Sequence, residues 1–201
     1  MWTDTLGTAE QDKVYIVQTT TKVIAHCLLM TTDTMEATLK VLNELERAGV
    51  ISRYAIGGAV GAIFYMEPFL TYDLDVFVLL PQTAGGLLTL APIYEALKRR
   101  GYAEEGECVL VEGMPVQFLP AYNPLLEEAL AESRETRYVD TVTRVLRPEH
   151  LAAIMVQTGR DKDRQRFTTF MQEAEQDAEY LRGVLERHQL TERFELWKSA
   201  I

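Results

Sequence analysis

The stretch at residues 73–80, DLDVFVLL, is the feature that most narrows what this chain can fold into. It is rich in β-branched and apolar residues and is followed by Pro81, a pattern typical of a strand that is buried on both faces. Because side chains alternate across a strand, Asp73 and Asp75 would project from the same face. The sequence therefore predicts a central strand that presents two carboxylates side by side where it begins.

Two carboxylates fixed in this way offer hard oxygen ligands to a divalent cation. Mg²⁺ prefers oxygen ligands, keeps several waters and commonly bridges one or two carboxylates to substrate phosphates. Asp73 and Asp75 are therefore candidate catalytic and metal-binding residues. The alternative is that acidic residues open this strand only because they face water, since a D-x-D pair is frequent by chance. The neighbouring sequence has to decide between these two interpretations.

A glycine pair lies just upstream of the two aspartates. Residues 54–56 are typical of a short buried strand, Gly57 and Gly58 follow it, and the apolar run at residues 59–66 predicts a helix. Glycines at such a turn let backbone N–H groups approach an anion, and the start of a helix adds favourable partial charge. The alternative is that the pair only reverses the chain. The order is therefore strand, glycine turn, helix, and then the strand with two carboxylates.

The remaining pattern alternates between helices and strands and then becomes helical. The predicted helices are residues 33–48, 87–100 and 123–133, and the predicted strands are a hairpin at 107–111 and 116–119 and an extended pair within 136–146. From residue 149 the pattern is helical, with an interruption at residues 158–159. We expect an α/β (α+β) core at 33–146 and a helical lobe at 147–201. Residues 1–32 stay unassigned, with 14–17 a candidate strand and 23–30 a helix or a strand.

The composition excludes several classes of protein. With 201 residues, 47% of them apolar, the chain can bury a full core. It has no apolar stretch of the length that a membrane span needs and no signal peptide, so we expect a cytoplasmic protein without a membrane partner. Cys27 and Cys108 lie far apart without a CxxC pattern and are expected to be free thiols.

The charge distribution points to a local anion site rather than a general nucleic-acid surface. A net charge of -10 disfavours extended binding to a phosphate backbone. The acidic excess lies before residue 144, since acidic and basic groups are equal in number from there to the end. One short stretch concentrates four basic side chains: Arg160, Lys162, Arg164 and Arg166. The stretch RDKDRQR is either part of an anion site or a solvated helix start held by pairs within its own turns.

Two segments resemble a known superfamily. YAIGGAVGAIFYMEPFLTYDLDVFVLLP resembles the opening motif of the polymerase-beta-like nucleotidyltransferases, whose fold has a short mixed sheet flanked by helices. RPEHLAAIMVQTGRDKDRQRF, with the later VLERHQL, resembles the C-terminal helices of bacterial nucleotidyltransferases related to AbiE-type toxins. The resemblance spans residues 34–195. It implies that nucleotide and Mg²⁺ are bound by Gly57, Gly58, Asp73 and Asp75, that Lys162 and Asp163 complete the pocket, and that Arg160 lies beside them.

Three positions depart from the superfamily pattern. The fold usually supplies a third carboxylate from a later strand, and Gln117 stands there in MPVQFLPAY. A glutamine oxygen can coordinate metal weakly but cannot accept a proton at neutral pH. Phe69 and Met155 stand where relatives often carry a basic residue and a lysine. Gln117 is therefore included among the catalytic candidates as an altered third ligand, and efficient turnover is in question.

The resemblance implies transfer of a nucleoside monophosphate from a nucleoside triphosphate to an acceptor hydroxyl. The acceptor would be a small molecule, a protein or an RNA end, with tRNA and a partner protein as candidates. The alternative is a degenerate nucleotide-binding module, such as one partner of a toxin–antitoxin pair, and a third is a purely structural subunit. The sequence leaves open the base, the acceptor and the oligomeric state.

Overall fold

The computed structural model describes residues 32–67, 71–81 and 89–199. The helices are α1 (Thr32–Arg47), α2 (Gly58–Ile63), α3 (Ala91–Arg99), α4 (Pro124–Ala131), α5 (Pro148–Thr158), α6 (Asp161–Glu173), α7 (Ala178–Arg187) and α8 (Thr191–Lys198). The strands are β1 (Arg53–Ile56), β2 (Leu74–Leu79), β3 (Ala103–Glu105), β4 (Cys108–Val111), β5 (Met114–Pro120), β6 (Arg134–Tyr138) and β7 (Thr141–Val145). The predictions for residues 14–17 and 23–30, and the departure at Phe69, lie outside the described residues.

The strands form one mixed sheet of seven, in the order β3-β4-β5-β2-β1-β7-β6. β2 pairs in parallel with β5 and antiparallel with β1, and β1 pairs in parallel with β7. The remaining neighbours are antiparallel hairpins. The strand with the two carboxylates therefore lies at the centre of the sheet, as its sequence predicts.

The two faces of the sheet bury different helices. Val76 and Val78 of β2 pack in an apolar cluster with α1 and α3, whereas Phe77 packs in a second cluster with α4 and the C-terminal helices. Each fully buried aliphatic or aromatic side chain stabilises the fold by about 1.5–3 kcal/mol. The second cluster joins α4 to α5, α6, α7 and α8, so the C-terminal helices pack directly on the sheet. None of the described helices is long and apolar enough to cross a bilayer.

Most predicted elements are present, with differences at several element ends, at one edge strand and in further breaks after Glu173 and Arg187. β3 was not predicted, because its sequence AEE is fully exposed and has no apolar period; it forms only by pairing with β4. The predicted helix after the glycine pair is shorter, since α2 ends at Ile63. The regular part of the central strand begins at Leu74, so Asp73 occupies the bend before it. Cys108 is a free thiol, as expected.

Candidate active site

Gly58 and Asp75 fix one another at the centre of the site. The backbone N–H of Gly57 donates to the Asp75 carbonyl oxygen at 3.0 Å, which brings the glycine turn to the start of β2. Gly58 has φ +55, and a Cβ built there would lie 1.7 Å from Asp75 Oδ2. Only glycine satisfies both the left-handed backbone and the contact with the carboxylate. The Asp75 side chain therefore lies directly against the Gly58 backbone.

Gly57 serves a different purpose from its neighbour. Its backbone is extended, and a Cβ there would meet the Phe77 ring at 2.4 Å and Leu146 Cδ1 at 3.0 Å. Glycine is therefore needed at this position because the backbone passes close to packed apolar side chains. Of the predicted pair, Gly58 lines the cavity that contains Asp73 and Asp75, whereas Gly57 is buried.

Asp73 and Asp75 form an anionic pair to which solvent has little access. Burial, and next the negative charge of Asp73, raise the pKa of Asp75 to about 6. Lys162, Arg160 and Arg166 oppose this shift, but they do not cancel it. A carboxylate that is desolvated beside a like charge is stabilised by a cation that binds between the two. The pair therefore has the electrostatics of a cation site.

A cavity of about 60 Å³ lies between the sheet and the C-terminal helices at this point. Asp73 and Asp75 form its acidic wall, the cationic side chains at the start of α6 form its basic wall, and apolar side chains form its floor. The polar lining residues are Asp73, Asp75, Thr158, Arg160, Lys162, Asp163 and Arg166, and the floor is Phe77, Leu119, Leu151, Ile154 and Met155. This volume holds an ion with a few waters. Whole small-molecule ligands usually occupy about 300–1,000 Å³.

The basic wall is built at the start of α6. Gly159 ends α5 in the left-handed conformation, with φ 69, and Arg160 is the N-cap of α6. Arg160 donates twice to Asp163, from Nε to Oδ2 at 2.7 Å and from Nη2 to Oδ1 at 3.2 Å. Asp163 is buried and Lys162 is exposed. The start of α6 therefore has the internal pairing expected of a solvated helix start. Arg160, Lys162 and Asp163 of the same turn also line the cavity.

The pairing changes the interpretation of Asp163. Its two carboxylate oxygens each accept a hydrogen bond from the Arg160 fork, so they are engaged. Among the described residues, no group of three or more His, Cys, Asp or Glu side chains is arranged to hold a metal ion. Asp163 is therefore a partner of Arg160, and its predicted catalytic role stays a prediction. A metal at this site would rest on Asp73, Asp75 and water.

Gln117 lies beside Asp75 on the neighbouring strand. The parallel register of β2 and β5 pairs Asp75 with Gln117, so the two side chains share one face of the sheet. The Gln117 amide turns toward the hairpin of β3 and β4, where Nε2 donates to Glu107 Oε2 at 3.1 Å. Met155, the other described departure, is buried in the cavity floor. Gln117 is therefore next to Asp75 in the sheet, and Met155 lines the same cavity as the two aspartates.

Two residues near the site were not singled out from the sequence, although Arg166 belongs to the basic stretch named there as a candidate anion site. Arg166 lines the cavity, and it could have been recognised because it lies four residues after Lys162 and therefore shares its face of α6. Glu107 contacts Gln117 from a turn, and no local pattern marks it, since the contact depends on how β4 pairs with β5. The sequence could therefore have indicated the first but not the second.

Comparisons with known proteins support the fold. No family model matches the chain, and no curated protein matches its sequence. The crystal structure of an antigenic nucleotidyltransferase-like protein from Paracoccidioides brasiliensis is similar, with a TM-score of 0.52 and 13% sequence identity over 81% of this chain and 93% of that chain. Identity this low shows a shared fold alone. The kinship with AbiE-type toxins stays a prediction, and the chain has a nucleotidyltransferase-like fold of mixed sheet and flanking helices.

Proposed function

We propose that the protein is a Mg²⁺-dependent nucleotidyltransferase that moves a nucleoside monophosphate from a nucleoside triphosphate to an acceptor hydroxyl. The observation that carries the proposal is the cavity in which the Asp73 and Asp75 carboxylates face the cations of α6. An anionic pair facing a basic wall suits a divalent cation bridged to a polyphosphate, because each wall then gains an opposite charge.

The donor set fits Mg²⁺. Both ligands are hard carboxylate oxygens, and the missing Cβ of Gly58 leaves room for the Asp75 carboxylate at the cavity wall. Mg²⁺ tolerates a site with only two protein ligands because it keeps several waters. When bound, it would supply charge neutralisation for the phosphates during transfer.

The basic wall would bind the phosphates. Lys162 brings an exposed ammonium to the cavity, and Arg166 lies on the same face of α6. Arg160 is oriented by its two hydrogen bonds to Asp163, which fixes the direction of its guanidinium. In this proposal Asp163 is a positioning residue for Arg160. The cavity accepts the metal-bound phosphate end of the nucleotide, and the nucleoside extends beyond it.

Catalysis would rely on positioning more than on proton transfer. Gln117 cannot accept a proton, and the Asp163 carboxylate is paired with Arg160. Phosphoryl transfer depends mainly on alignment and charge neutralisation, so it tolerates weak base assistance. The acceptor classes stay those that the sequence allows: a small molecule, a protein or an RNA end such as that of tRNA.

The decisive experiment replaces both ligands. In the double variant Asp73→Asn and Asp75→Asn, we expect Mg²⁺-dependent binding of each triphosphate, measured by calorimetry, to be lost. Asp161→Asn is the matched control, because it removes one carboxylate from the exposed start of α6. If the double variant binds triphosphate as the wild type does, the proposed site is wrong. Incubation with α-labelled triphosphates, alone and with bulk tRNA, then tests transfer.

A second candidate is a nucleotide-binding module that has lost efficient catalysis, such as one partner of a toxin–antitoxin pair. Gln117 beside Asp75, the apolar Met155 in the cavity floor and the pairing of Asp163 favour it. It predicts Mg²⁺-dependent triphosphate binding without transfer of label to any acceptor. A protein that binds none of the four triphosphates in calorimetry would instead be a structural subunit.

A further inference from the structure

One edge of the sheet ends in an exposed strand. β6 is the last strand at its end of the sheet, and within the described part of the chain it pairs with β7 alone. Arg134, Glu135 and Arg137 are exposed, and Thr136 and Tyr138 are half-buried. A strand at such an edge offers backbone N–H and C=O groups to a further strand. The edge of β6 is therefore a surface on which another strand can pair.

The hairpin determines which backbone groups of β6 face this edge. A two-residue loop joins β6 to β7, and the pair that closes it is Tyr138 with Thr141. The closing pair of such a loop is hydrogen-bonded, and hydrogen-bonded pairs alternate with non-hydrogen-bonded pairs along an antiparallel ladder. Every second residue counted back from Tyr138 therefore bonds to β7, whereas the N–H and C=O groups of Glu135 and Arg137 point to the open edge. These two residues supply the donors and acceptors for an added strand.

The sequence of β6, RETRY, is complementary to itself. When two copies of β6 pair antiparallel about Thr136, each Glu135 lies opposite Arg137 of the other copy. The same register places Arg134 opposite Tyr138, whose ring attracts a guanidinium. Oppositely charged cross-strand pairs stabilise a sheet, and like charges destabilise it. Because Glu135 and Arg137 also carry the outward backbone groups, the backbone and the charges favour one register.

The two charges have no ionic partner within their own chain. Among the residues that the structure describes, neither Glu135 nor Arg137 forms an ion pair with another side chain. Arg144, the cross-strand neighbour of Glu135 in the hairpin, is instead paired with Glu46 at 2.8 Å. The guanidinium of Arg137 donates to the Asp140 carbonyl oxygen of its own turn across a long 3.4 Å. A second copy would therefore give each charge its first ionic partner.

The opposite edge of the sheet does not have this property. β3, with the sequence AEE, is the last strand at that end of the described sheet. Antiparallel pairing of two copies about Glu104 would place the two Glu104 carboxylates opposite each other, which is destabilising. Pairing of β3 with β6 of another copy would leave a free edge on each side and build an open chain of molecules. Two-fold pairing through β6 is the arrangement that closes as a dimer.

We propose that β6 is a homodimer interface, at which a second copy of this chain pairs antiparallel about Thr136 and joins the two sheets into one. Val142 of β7 is the register partner of Arg137 and is 39% exposed, so the contact also covers an apolar side chain. The proposal does not depend on the proposed function, because β1 and β7 separate β6 from β2, the strand that carries Asp75.

Sedimentation equilibrium of the full chain measures the dissociation constant of the dimer. Salt at about 0.15 M screens the net charge of -10 on each copy beyond about 8 Å. We expect Glu135→Arg and Arg137→Glu each to weaken the dimer at least about tenfold, because each converts both charged pairs of the two-fold interface into like-charge pairs. Glu104→Arg makes the same charge change on the exposed strand β3 and is the matched control. It should change the dissociation constant less than about threefold.

Mixing the two variants tests the register itself. In a mixed dimer of Glu135→Arg with Arg137→Glu each arginine again lies opposite a glutamate, so the mixture should associate although neither variant does alone. The double variant that carries both changes should return to the affinity of the wild type, which also excludes misfolding as the cause of the loss. A monomeric wild type, or a mixture that does not associate, would overturn the proposal. Assemblies larger than a dimer that Glu104→Arg abolishes would overturn it in favour of pairing between β3 and β6.

Discussion

Two carboxylates of this protein, Asp75 near the start of the central strand β2 and Glu128 on α4, are both partly buried but differ in how their charge is compensated. Burial and the charge of Asp73 raise the pKa of Asp75 to about 6. Burial also opposes the charge of Glu128, but its hydrogen bonds from Arg187, His188 and His150 outweigh burial and hold its pKa at about 2. The partners, rather than burial, decide which carboxylate favours its charge.

The two regions also differ in what they connect. Glu128 accepts from Arg187 Nη2, at 2.6 Å, and pairs with His188 Nε2 at 2.7 Å, and both partners lie at the end of α7. His150 of α5 is fully buried, and burial lowers its pKa, so the neutral ring donates Nε2–H to Glu128 across 3.2 Å. One carboxylate thus joins three helices. Asp75 is charged where the fold gives it too little compensation, which is the condition for binding a cation.

The largest expected effect comes from closing the space beside Asp75. Gly58→Ala would place a Cβ 1.7 Å from Asp75 Oδ2, so the carboxylate must move. We expect the affinity for Mn²⁺, which replaces Mg²⁺ as a probe in electron paramagnetic resonance, to fall more than about a hundredfold, beyond what outer-shell changes cause. Gly49→Ala is the matched control: φ is +71 there, but a Cβ would meet nothing within 4 Å. Both variants should lose about 1 kcal/mol of stability from backbone strain. Equal Mn²⁺ affinity in the two variants would contradict the contact.

The next largest effect is expected from removing the charge of Glu128, the carboxylate whose charge is compensated by its partners. Glu128→Gln removes the charge shared by Arg187, His188 and His150, and we expect the free energy of unfolding in urea at pH 7 to fall by about 2 kcal/mol. Glu127→Gln, one residue earlier and exposed, should cost less than about 0.5 kcal/mol. Because the pKa of Glu128 is lowered from 4.5 to about 2, its contribution is present above pH 4.5 and is lost as the pH falls toward 2. A difference between wild type and Glu128→Gln that is as large at pH 2 as at pH 7 would contradict this assignment.

Removing the charge of Asp75, which its neighbours do not compensate, should change the free energy of unfolding in the opposite direction. The pKa of Asp75 is raised from 3.8 to about 6, so the folded state binds the proton more tightly than the unfolded state does. Stability therefore falls as the pH rises through this interval, and charged Asp75 is a cost at pH 7. Without divalent ions, we expect Asp75→Asn to raise the free energy of unfolding at pH 7 by about 1–2 kcal/mol. The gain should vanish below pH 3.8. A destabilised Asp75→Asn at pH 7 would show that the charge is compensated after all.

The sequence predicts the centre of the fold better than its edges. β2 was recognisable because every residue of it except Asp75 is apolar and most of these side chains are buried. β3 was not, because AEE carries no apolar side and becomes a strand only through β4. The break at Gly159 was readable from local chemistry, since a left-handed residue ends α5 there. Local patterns therefore specify elements that bury their own residues, and miss those that depend on a partner.

In the candidate site, too, features set by local sequence could be predicted, and features that depend on a distant strand could not. The nearness of Asp73 to Asp75 follows from their spacing of two residues, which the sequence alone shows, and the two line one cavity although Asp73 lies in the bend before β2. The different structural roles of Gly57 and Gly58 cannot be predicted from their positions in the sequence, because Phe77 and Asp75 contact them from another strand. The Arg160 pairing with Asp163 is local and could have been anticipated at a spacing of three residues.

The smallest expected effect tests the same contrast by titration. With a pKa of about 6, Asp75 goes from about nine-tenths ionised at pH 7 to about one-tenth at pH 5, so Mn²⁺ affinity should fall about tenfold. The measurement is an electron paramagnetic resonance titration at the two pH values, and Asp75→Asn, which lacks the titrating ligand, should bind Mn²⁺ weakly at both. Glu128, with a pKa of about 2, stays ionised across this window, so its ion pairs persist while the metal is lost. An Mn²⁺ affinity that is flat between pH 7 and pH 5 would mean that the metal does not compete with a proton on Asp75, and the difference between the two carboxylates would then have no consequence for binding.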